Sequence, residues 1–376
     1  MKHIYLDHAA AAPIDPRVVS AMAQASKEYG NPSAFNNAGR RAKKLLETGR
    51  KAVSDFLHAR PDEIIFTSSG SEANNLALAG YLKGKKGRVI TTPIEHPSVL
   101  ECLRALPGIK VDFLSVDKDG LINLKELEKK LGLDVLLVSI MYANNEIGTI
   151  EPIAKTGRII KKFSKNIVFH VDACQAVGFL DMNVQNLNTD LVTFNGSKIS
   201  GPRGIGVLYV HRGLALQPLV RGGGQERGLR AGTENLPAIV GLAKAIQFIK
   251  SSEAKKLSAL RDYAINKIQK EILDALLVGP TGDDRLPNNI NICIPHLTSE
   301  TILLELDKYG ISAGSGSACT SHSVEPSHVL KAIGVPATHI NGALRFSLGR
   351  STTKSNIDYL VKTLETVIFN LVKRHR

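Results

Sequence analysis

An acidic residue and an amide follow a predicted buried strand in the segment His170-Val171-Asp172-Ala173-Cys174-Gln175. A carboxylate removed from water needs a cation or strong hydrogen-bond donors as partners. A protonated pyridine nitrogen is such a cation, and pyridoxal phosphate (PLP) enzymes use that ring as an electron sink. Asp172 could equally be an aspartate that caps a turn or a helix, so this segment alone leaves both interpretations open.

A lysine lies in a turn of small residues directly after the predicted strand 191–194, in Asn195-Gly196-Ser197-Lys198-Ile199-Ser200. A lone lysine is usually a solvated surface charge. Small neighbours, however, let a bound group approach closely. A lysine that forms a Schiff base needs burial or a neighbouring cation to lower its pKa. The hydroxyl groups beside Lys198 could meet a phosphate, so the turn is a candidate for covalent cofactor binding.

Two further segments follow predicted strands. The small residues of 68–70 lead from a strand into a helix predicted from Ser71 to about Leu82, and the N–H groups of a helix N-terminus bind phosphate readily. His96 follows the next strand, where it is either a structural hydrogen-bonding residue or a participant in chemistry. A serine-glycine helix cap without a ligand is common, so each segment is informative only together with the others.

Cys319 lies in the Gly/Ser-rich segment 312–321, which is predicted to be a mobile loop. A reactive thiol needs nearby cations that populate its thiolate, and His322 and Arg345 are candidates. The alternative is an incidental exposed cysteine. The remaining cysteines, Cys102, Cys174 and Cys293, are predicted to be small buried residues. Because the four cysteines form no C-x-x-C pair, neither a metal site nor a disulfide framework is expected.

The elements that must position these residues alternate between strands and helices from about residue 60 to 210. Strand-like segments at 63–67, 88–92, 135–140 and 167–171, of which 135–140 is an almost continuous apolar run, predict buried strands of a mainly parallel sheet. Ligands bind beyond the carboxyl ends of such strands. After about residue 250 the pattern predicts a smaller α+β unit, with helices at 236–251, 254–274 and 298–308, strands at 289–294 and 343–348, and a last helix from about 354.

The composition is that of a globular protein, with 43% hydrophobic and 22% charged residues. The absence of a long apolar run and of a signal-peptide pattern predicts a cytoplasmic protein without membrane association. The net charge of +13 predicts either a solvated basic surface or a surface that docks an acidic protein or an RNA. Because the chain lacks tryptophan and has only 5% aromatic residues, direct nucleic-acid binding is disfavoured.

Taken in order, the motifs resemble those of the NifS/IscS-type cysteine desulfurases. These proteins belong to the class V aminotransferase family and have the PLP-dependent transferase fold type I. The resemblance runs nearly from end to end through the segments at 5–10, 30–33, 95–96, 144–148, 172–175, 222–227, 315–321 and 344–350. The Ser-Gly-Ser-Ala-Cys-Thr sequence at 315–320 is typical of the subgroup with a long, mobile cysteine loop.

The resemblance implies an α/β fold with two domains. Residues 15–250 are expected to form a large PLP-binding domain with a mainly parallel seven-stranded sheet. Residues 1–14 and 251–376 are expected to form the smaller α+β domain, which carries the mobile cysteine loop at about 312–325.

The resemblance also implies the roles of individual residues. Lys198, Cys319 and His96 are expected to be catalytic, with Lys198 bound to PLP as a Schiff base and His96 stacked on the ring. The expected cofactor-binding residues are Gly70, Ser71, His96, Asn145, Asp172, Gln175, Asn195, Ser197, Lys198 and Thr233. Arg345, assisted by Asn31, is expected to bind the substrate carboxylate. Thr233 is expected to reach the phosphate of a neighbouring subunit, which implies a homodimer. Ser197 departs from the family pattern, where histidine usually precedes the lysine.

The implied reaction converts L-cysteine to L-alanine and leaves the sulfur on Cys319 as a persulfide. The persulfide would pass to an iron–sulfur scaffold protein or to an enzyme of tRNA or cofactor thiolation. Two alternatives remain. A class V transaminase or a cysteine or selenocysteine lyase would not need Cys319. A binding module would use the basic surface to recruit RNA or a sulfur acceptor and would release no alanine.

Overall fold

The computed structural model describes residues 3–316 and 326–375 of the chain. Its strands are Ile4–Tyr5 (β1), Ile64–Thr67 (β2), Gly87–Thr91 (β3), Ile109–Phe113 (β4), Val135–Ser139 (β5), Val168–Asp172 (β6), Leu191–Asn195 (β7), Gly206–Val210 (β8), Leu276–Leu277 (β9), Asn289–Cys293 (β10), Ile311–Ser312 (β11) and Ala343–Ser347 (β12). Its helices are Pro16–Ala25 (α1), Asn37–Leu57 (α2), Gly70–Leu82 (α3), Pro97–Arg104 (α4), Leu124–Lys130 (α5), Ile153–Phe163 (α6), Val184–Leu187 (α7), Leu236–Ile246 (α8), Ser251–Glu271 (α9), Ser299–Lys308 (α10), His328–Ala332 (α11), Ala337–Ile340 (α12) and Lys354–His375 (α13).

The largest sheet has seven strands in the order β2-β8-β7-β6-β5-β3-β4. The neighbours from β7 through β6, β5 and β3 to β4 pair in parallel, whereas β8 runs antiparallel to both β2 and β7. The predicted mainly parallel seven-stranded sheet is therefore confirmed. Because the parallel strands share one direction, the segments after β3, β6 and β7 emerge at the same edge of the sheet.

Both faces of this sheet are covered, which explains why its central strands β5, β6 and β7 are mostly apolar on both faces. Successive side chains of a strand point to opposite faces. In β6, Val168 packs into one hydrophobic cluster, while Phe169 and Val171 pack into the other. Helix α3 packs on one side, and α1, α2 and α8 pack together on the other. The carboxyl ends of the strands are thereby held in a rigid layer.

A second core forms around the antiparallel sheet β12-β10-β9 and the helices α9, α10 and α13. The first residues of the chain join it, because β1 pairs in parallel with β11 and both Ile4 and Leu6 are buried there. A single bridge between Asp7 and Ser347 continues this attachment. The domain boundary at 250/251 remains a prediction, although α8 packs on the first core and α9 on the second.

The predicted strands and helices of the C-terminal half agree with the observed ones except between α8 and α9. The sequence predicted helices at 236–251 and 254–274, whereas α8 ends at Ile246 and α9 spans Ser251–Glu271. Ser251-Ser252-Glu253 carries residue types that start helices, and this signal marks the true beginning of α9. Within the described residues, no helix is long and apolar enough to cross a membrane, and no three or more His, Cys, Asp or Glu side chains are grouped so that they could hold a metal ion.

Candidate active site

A cleft of about 300 Å³ opens where the carboxyl ends of β3, β6 and β7 meet β12. Nine of the predicted site residues line it: Gly70, Ser71, His96, Asn145, Asp172, Gln175, Asn195, Lys198 and Arg345. Elements distant in sequence therefore converge on one cavity, as the rule for parallel sheets predicts. The size of the cleft suits a small organic ligand.

Asp172 is the last residue of β6 and is only 5% exposed. Its Oδ2 accepts a hydrogen bond from Asn74 Nδ2 at 2.7 Å, and its Oδ1 accepts one from the backbone N–H of Cys174 at 2.9 Å. Two neutral donors thus orient a buried carboxylate toward the cleft. Such a carboxylate is suited to bind a cationic group of a ligand.

Lys198 closes a 3₁₀ turn, Gly196–Lys198, that follows β7 directly. Its Nζ donates to the carbonyl oxygen atoms of Ala9 at 2.7 Å and Ala10 at 2.5 Å. The carbonyl of Ala9 also accepts from Gln175 Nε2 at 3.0 Å. The N-terminal segment therefore holds the lysine amine at the floor of the cleft, next to an amide that was predicted to bind the cofactor.

The beginning of α3 forms a second wall of the cleft. Ser69 caps this helix by accepting from the backbone N–H of Glu72 at 3.1 Å. A Cβ atom on Gly70 would lie 2.6 Å from Cys174 Sγ and 3.0 Å from Asn195 Nδ2. Glycine at position 70 leaves room for a ligand to approach the helix N-terminus, whose N–H groups favour an anion such as phosphate.

His96 is the N-terminal cap of α4 and lies half-buried over the cleft. Its Nδ1 accepts from the backbone N–H of Ser98 at 3.1 Å and lies 2.8 Å from Ser98 Oγ. Burial lowers the pKa of His96; Asp172 opposes this shift, and Lys198 and His328 add to it. The imidazole is therefore held neutral more strongly than an exposed histidine.

Arg345 is contributed by β12 and is 2% exposed. Its Nη1 donates to the carbonyls of Asn145 at 3.0 Å and Gly316 at 2.8 Å, and its Nη2 donates to Asp7 Oδ1 at 2.9 Å. Its Nε is buried and has no hydrogen-bond partner within residues 3–316 and 326–375. A buried guanidinium with an unused donor beside a cleft is suited to bind a carboxylate.

The other predicted site residues lie elsewhere. Ser197 donates to Asn195 Oδ1 at 2.9 Å and supports the lysine turn from outside the cleft lining. Asn31 is exposed and accepts from the backbone of Ser33 at 2.9 Å, and Thr233 is also exposed. The expected roles of Asn31 and Thr233 therefore find no support within a single chain. Cys319 lies outside the described residues.

Sequence reasoning missed several residues that line the cleft: Ser69, Asn74, Ser98, Met141, Glu146 and His328. It also predicted Cys174 as a small buried residue, whereas its thiol lies at the cleft, where burial and Asp172 raise its pKa. A helical signal was available for Asn74, since it lies one turn after Gly70 on the same face of α3. For His328 no signal existed, because only the fold brings its Nε2 within 2.9 Å of the Glu95 carbonyl.

With this geometry in place, comparison with known proteins identifies the class. The family model described as aminotransferase class-V matches residues 4–360. The chain therefore belongs to the class V aminotransferase family, an enzyme family whose members use PLP.

Individual relatives agree with the predicted resemblance. A protein of Dictyoglomus turgidum described as cysteine desulfurase IscS is 43% identical over 98% of this chain and 95% of its own length. A solved structure described as a NifS-like protein is 36% identical, with a TM-score of 0.90 over 98% of this chain and 99% of that one. A structure described as SspA in complex with cysteine is 34% identical, with a TM-score of 0.79 over 92% of this chain and 98% of that one. The resemblance to NifS/IscS-type cysteine desulfurases is confirmed.

The side chains of the cleft fit PLP. The buried carboxylate of Asp172 matches a pyridinium nitrogen, and the space kept open by Gly70 at the start of α3 matches a phosphate. Lys198 reaches the same cavity and is the amine that such a cofactor requires.

Proposed function

We propose that this protein is a PLP-dependent cysteine desulfurase that converts L-cysteine to L-alanine and receives the sulfur on Cys319 as a persulfide. One observation carries the proposal. Lys198, Asp172 and Arg345 converge on one cleft, and Arg345 also binds the carbonyl of Gly316, shortly before Cys319 in the chain. A lyase or transaminase needs the first three groups only.

Several residues would hold the cofactor. Asp172 would bind the ring nitrogen, and His96 would stack on the ring. Gly70, Ser71 and Asn195 in the cleft, with Ser197 next to it, would hold the phosphate. Asn145 and Gln175 would hydrogen-bond the phenolic oxygen. When bound, the cofactor supplies an electron sink for negative charge at the substrate α-carbon.

Lys198 and Arg345 then act on the substrate. The Arg345 fork binds the substrate carboxylate, assisted by Asn31, and fixes the orientation of the α-carbon. Lys198 Nζ takes the proton from that carbon as a general base, and the carbonyls of Ala9 and Ala10 stabilise the ammonium group so formed. The same amine returns a proton when alanine is completed.

The sulfur step is a displacement at sulfur. The Cys319 thiolate attacks the substrate sulfur, an S–S bond forms and the Cβ–S bond breaks. The electron pair of the broken bond remains with carbon, which takes up a proton and becomes the methyl group of alanine. The net reaction joins L-cysteine and an enzyme thiol to give L-alanine and an enzyme persulfide, with no external oxidant.

The persulfide is delivered to an acceptor protein in iron–sulfur cluster assembly or in tRNA or cofactor thiolation. We further propose that the protein works in the cytoplasm as a homodimer in which Thr233 reaches the phosphate of the neighbouring subunit. Thr233 is exposed in the single chain, so its side chain is accessible for a contact with a neighbouring subunit.

The test supplies PLP-loaded protein with L-cysteine and measures alanine together with the persulfide on Cys319 by mass spectrometry of alkylated peptides. The expected result is both products in the unsubstituted protein. Lys198→Ala is expected to lose both. Cys319→Ala is expected to lose the persulfide and to reduce alanine formation by about 100-fold or more, in the usual range for loss of a catalytic nucleophile.

Cys102→Ala is the matched control, since Cys102 is 7% exposed, packs into the core and is not among the described residues that line the cleft. It is expected to form both products at the unsubstituted rate. Alanine released at an unchanged rate by Cys319→Ala would contradict the desulfurase proposal and favour a lyase. Salt-sensitive RNA binding without alanine would favour a binding module.

A further inference from the structure

A continuous chain of hydrogen bonds links His96, which is expected to stack on the cofactor ring, to Asp172, which is expected to bind the ring nitrogen. It runs from His96 Nδ1 to Ser98 Oγ at 2.8 Å, from Ser98 Oγ to Asn74 Nδ2 at 2.9 Å, and from Asn74 Nδ2 to Asp172 Oδ2 at 2.7 Å. Asn74 is 1% exposed, and Asp172 lies 98 residues away from it in sequence. All four residues line the cleft.

The direction of each hydrogen bond follows from the chemistry of the groups. The Asp172 carboxylate can only accept while ionised, so the Asn74 amide must present its NH₂ group there. The other hydrogen of this NH₂ group then points to Ser98 Oγ, which accepts it. A flipped amide would place an oxygen against the carboxylate and lose the bond to Asp172, and its oxygen could then only accept from the Ser98 hydroxyl.

The histidine end is fixed independently. The backbone N–H of Ser98 donates to His96 Nδ1 at 3.1 Å. A backbone N–H can donate a hydrogen bond but cannot accept one. Nδ1 therefore carries a lone pair, and the hydrogen between it and Ser98 Oγ belongs to the hydroxyl. A neutral imidazole has one N–H, so its hydrogen lies on Nε2.

We propose that Asn74 and Ser98 are positioning residues that fix His96 as the neutral tautomer with hydrogen on Nε2 and tie its orientation to that of Asp172. In this tautomer Nε2 donates a hydrogen bond and cannot accept a proton. This assigns His96 the role of a donor over the ligand, and it leaves Lys198 as the general base. Only this mechanistic consequence rests on the proposed function.

The surroundings of His96 support a neutral ring. Among the described residues, the titratable groups that face it are Asp172, which favours the charged form, and Lys198 and His328, which oppose it. Burial opposes the charge as well. Neighbouring Glu95 is fully buried, and burial raises its pKa well above the usual range, which weakens its tendency to carry negative charge beside the ring.

The tautomer can be measured directly by nitrogen NMR of protein labelled with ¹⁵N-histidine, without cysteine. His96→Gln identifies the His96 signals among those of the 11 histidines. The expected spectrum at neutral pH shows an unprotonated Nδ1 and a protonated Nε2 for His96. A protonated Nδ1, either as the other tautomer or as imidazolium, would overturn the proposal.

The role of Ser98 in the hydrogen-bond chain is tested by comparing the variant Ser98→Ala with the conservative variant Ser98→Thr. Alanine removes the hydroxyl donor that favours an unprotonated Nδ1, so the midpoint of the His96 titration is expected at higher pH than in the unsubstituted protein. Threonine keeps the hydroxyl and is expected to restore the original midpoint. Identical titrations of the alanine variant and the unsubstituted protein would overturn the role of Ser98.

Asn74→Ala tests the other link. It frees the Ser98 hydroxyl to rotate, so the His96 midpoint is expected between those of the unsubstituted protein and Ser98→Ala. If Asn74→Ala is folded, as judged by circular dichroism, and its His96 titration midpoint is unchanged, Asn74 does not act as a positioning residue for His96. If that variant does not fold, the two Ser98 variants decide the proposal. None of these measurements requires turnover, so a failure of the His96 proposal can be distinguished from a failure of the proposed desulfurase function.

Discussion

Several polar side chains around the cleft are buried, and some of their atoms have no hydrogen-bond partner among the described residues. Native proteins rarely leave buried polar atoms unpaired, so each exception has a physical meaning. Within the part of the chain that the structure describes, Arg345 Nε, Asn74 Oδ1 and Glu95 Oε2 lack hydrogen-bond partners. Arg345 and Asn74 line the cleft, where a ligand would complete their hydrogen bonding.

Glu151 is a further buried carboxyl group, and it is not among the described residues that line the cleft. It is 1% exposed; one carboxyl oxygen accepts from the backbone of Ile122 at 3.2 Å, and the other has no partner among the described residues. Burial raises its pKa from 4.5 to about 8. The native state therefore retains a proton that the unfolded chain releases, and the resulting stability is lost as pH rises from the unfolded to the folded pKa.

The variant Glu151→Gln replaces this carboxyl group with an amide that does not titrate. Between about pH 5.5 and 7.5, the free energy of unfolding of the variant minus that of the unsubstituted protein is expected to increase by about 1.4 kcal/mol per pH unit at most. Urea unfolding at several pH values measures it. The exposed Glu128→Gln is the control and is expected to show no such slope. Parallel pH curves for all three proteins would contradict a buried, protonated Glu151.

At the scale of elements, the site is built from the ends of strands and the beginnings of helices. Strands β6 and β7 end in Asp172 and the Lys198 turn, while α3 and α4 begin at Gly70 and Pro97. Helix N-termini supply N–H groups and partial positive charge. This arrangement brings anion-binding and cation-binding groups together in one small cleft.

Gly70→Ala tests the helix N-terminus. The added methyl group would crowd Cys174 Sγ and Asn195 Nδ2 at 2.6 and 3.0 Å and would narrow the approach to the α3 N–H groups. The affinity for PLP is expected to fall by about 10-fold or more, a loss comparable to one strong hydrogen bond to a charged group. Titration of the apoprotein followed by absorbance measures it.

Two variants control for the nature of this effect. Gly224→Ala adds the same methyl group where no atom lies within 4 Å and is expected to bind PLP normally. The double variant Gly70→Ala with Cys174→Ala relieves part of the crowding and is expected to recover part of the affinity. Unchanged affinity in Gly70→Ala would exclude close approach of the phosphate at this glycine.

At the scale of the whole molecule, the cleft lies between two hydrophobic cores. The seven-stranded sheet supplies Asp172 and Lys198, the second core supplies Arg345 through β12, and the N-terminal segment links both through Asp7 and Ala9. Each core fixes its own side chains, so the spacing between cofactor and substrate groups depends on how the two cores pack. Neither half of the chain alone contains the site.

The proposed homodimer is tested by subunit complementation. Thr233→Glu would repel the phosphate of the neighbouring site, and Lys198→Ala inactivates its own site. If each site combines Lys198 of one subunit with Thr233 of the other, a heterodimer of these variants has one intact site. Equal mixing with random reassociation is expected to restore about a quarter of the unsubstituted alanine formation.

Each variant alone, carried through the same reassociation, is the control and is expected to remain far less active than the mixture. Activity of the mixture equal to the average of the two separate variants would contradict a shared site. Analytical ultracentrifugation of each sample separates this outcome from a failure to form dimers.

Much of the fold could be read from the primary structure because the signals are local. Mostly apolar runs predicted β5 and β6 to within one residue, and the turn of small residues before Ser71 predicted the start of α3 to within one residue. Asp172, Lys198 and His96 were predicted because each lies at or shortly after the end of a predicted strand, and strand ends share one edge of a parallel sheet. Only the resemblance to a family assigned Thr233 and Asn31.

The remaining features depend on contacts between residues that lie far apart in the chain. Ser98 is 24 residues from Asn74, and Asp172 is 98 residues from it, so no local pattern predicts their hydrogen bonds. The same holds for the Asp7–Arg345 ion pair, whose partners are 338 residues apart. Residue types therefore specified which chemistry is available to this protein, while the packing of the two cores determined donor directions, burial and the protonation of His96, because these depend on distance and solvent exclusion.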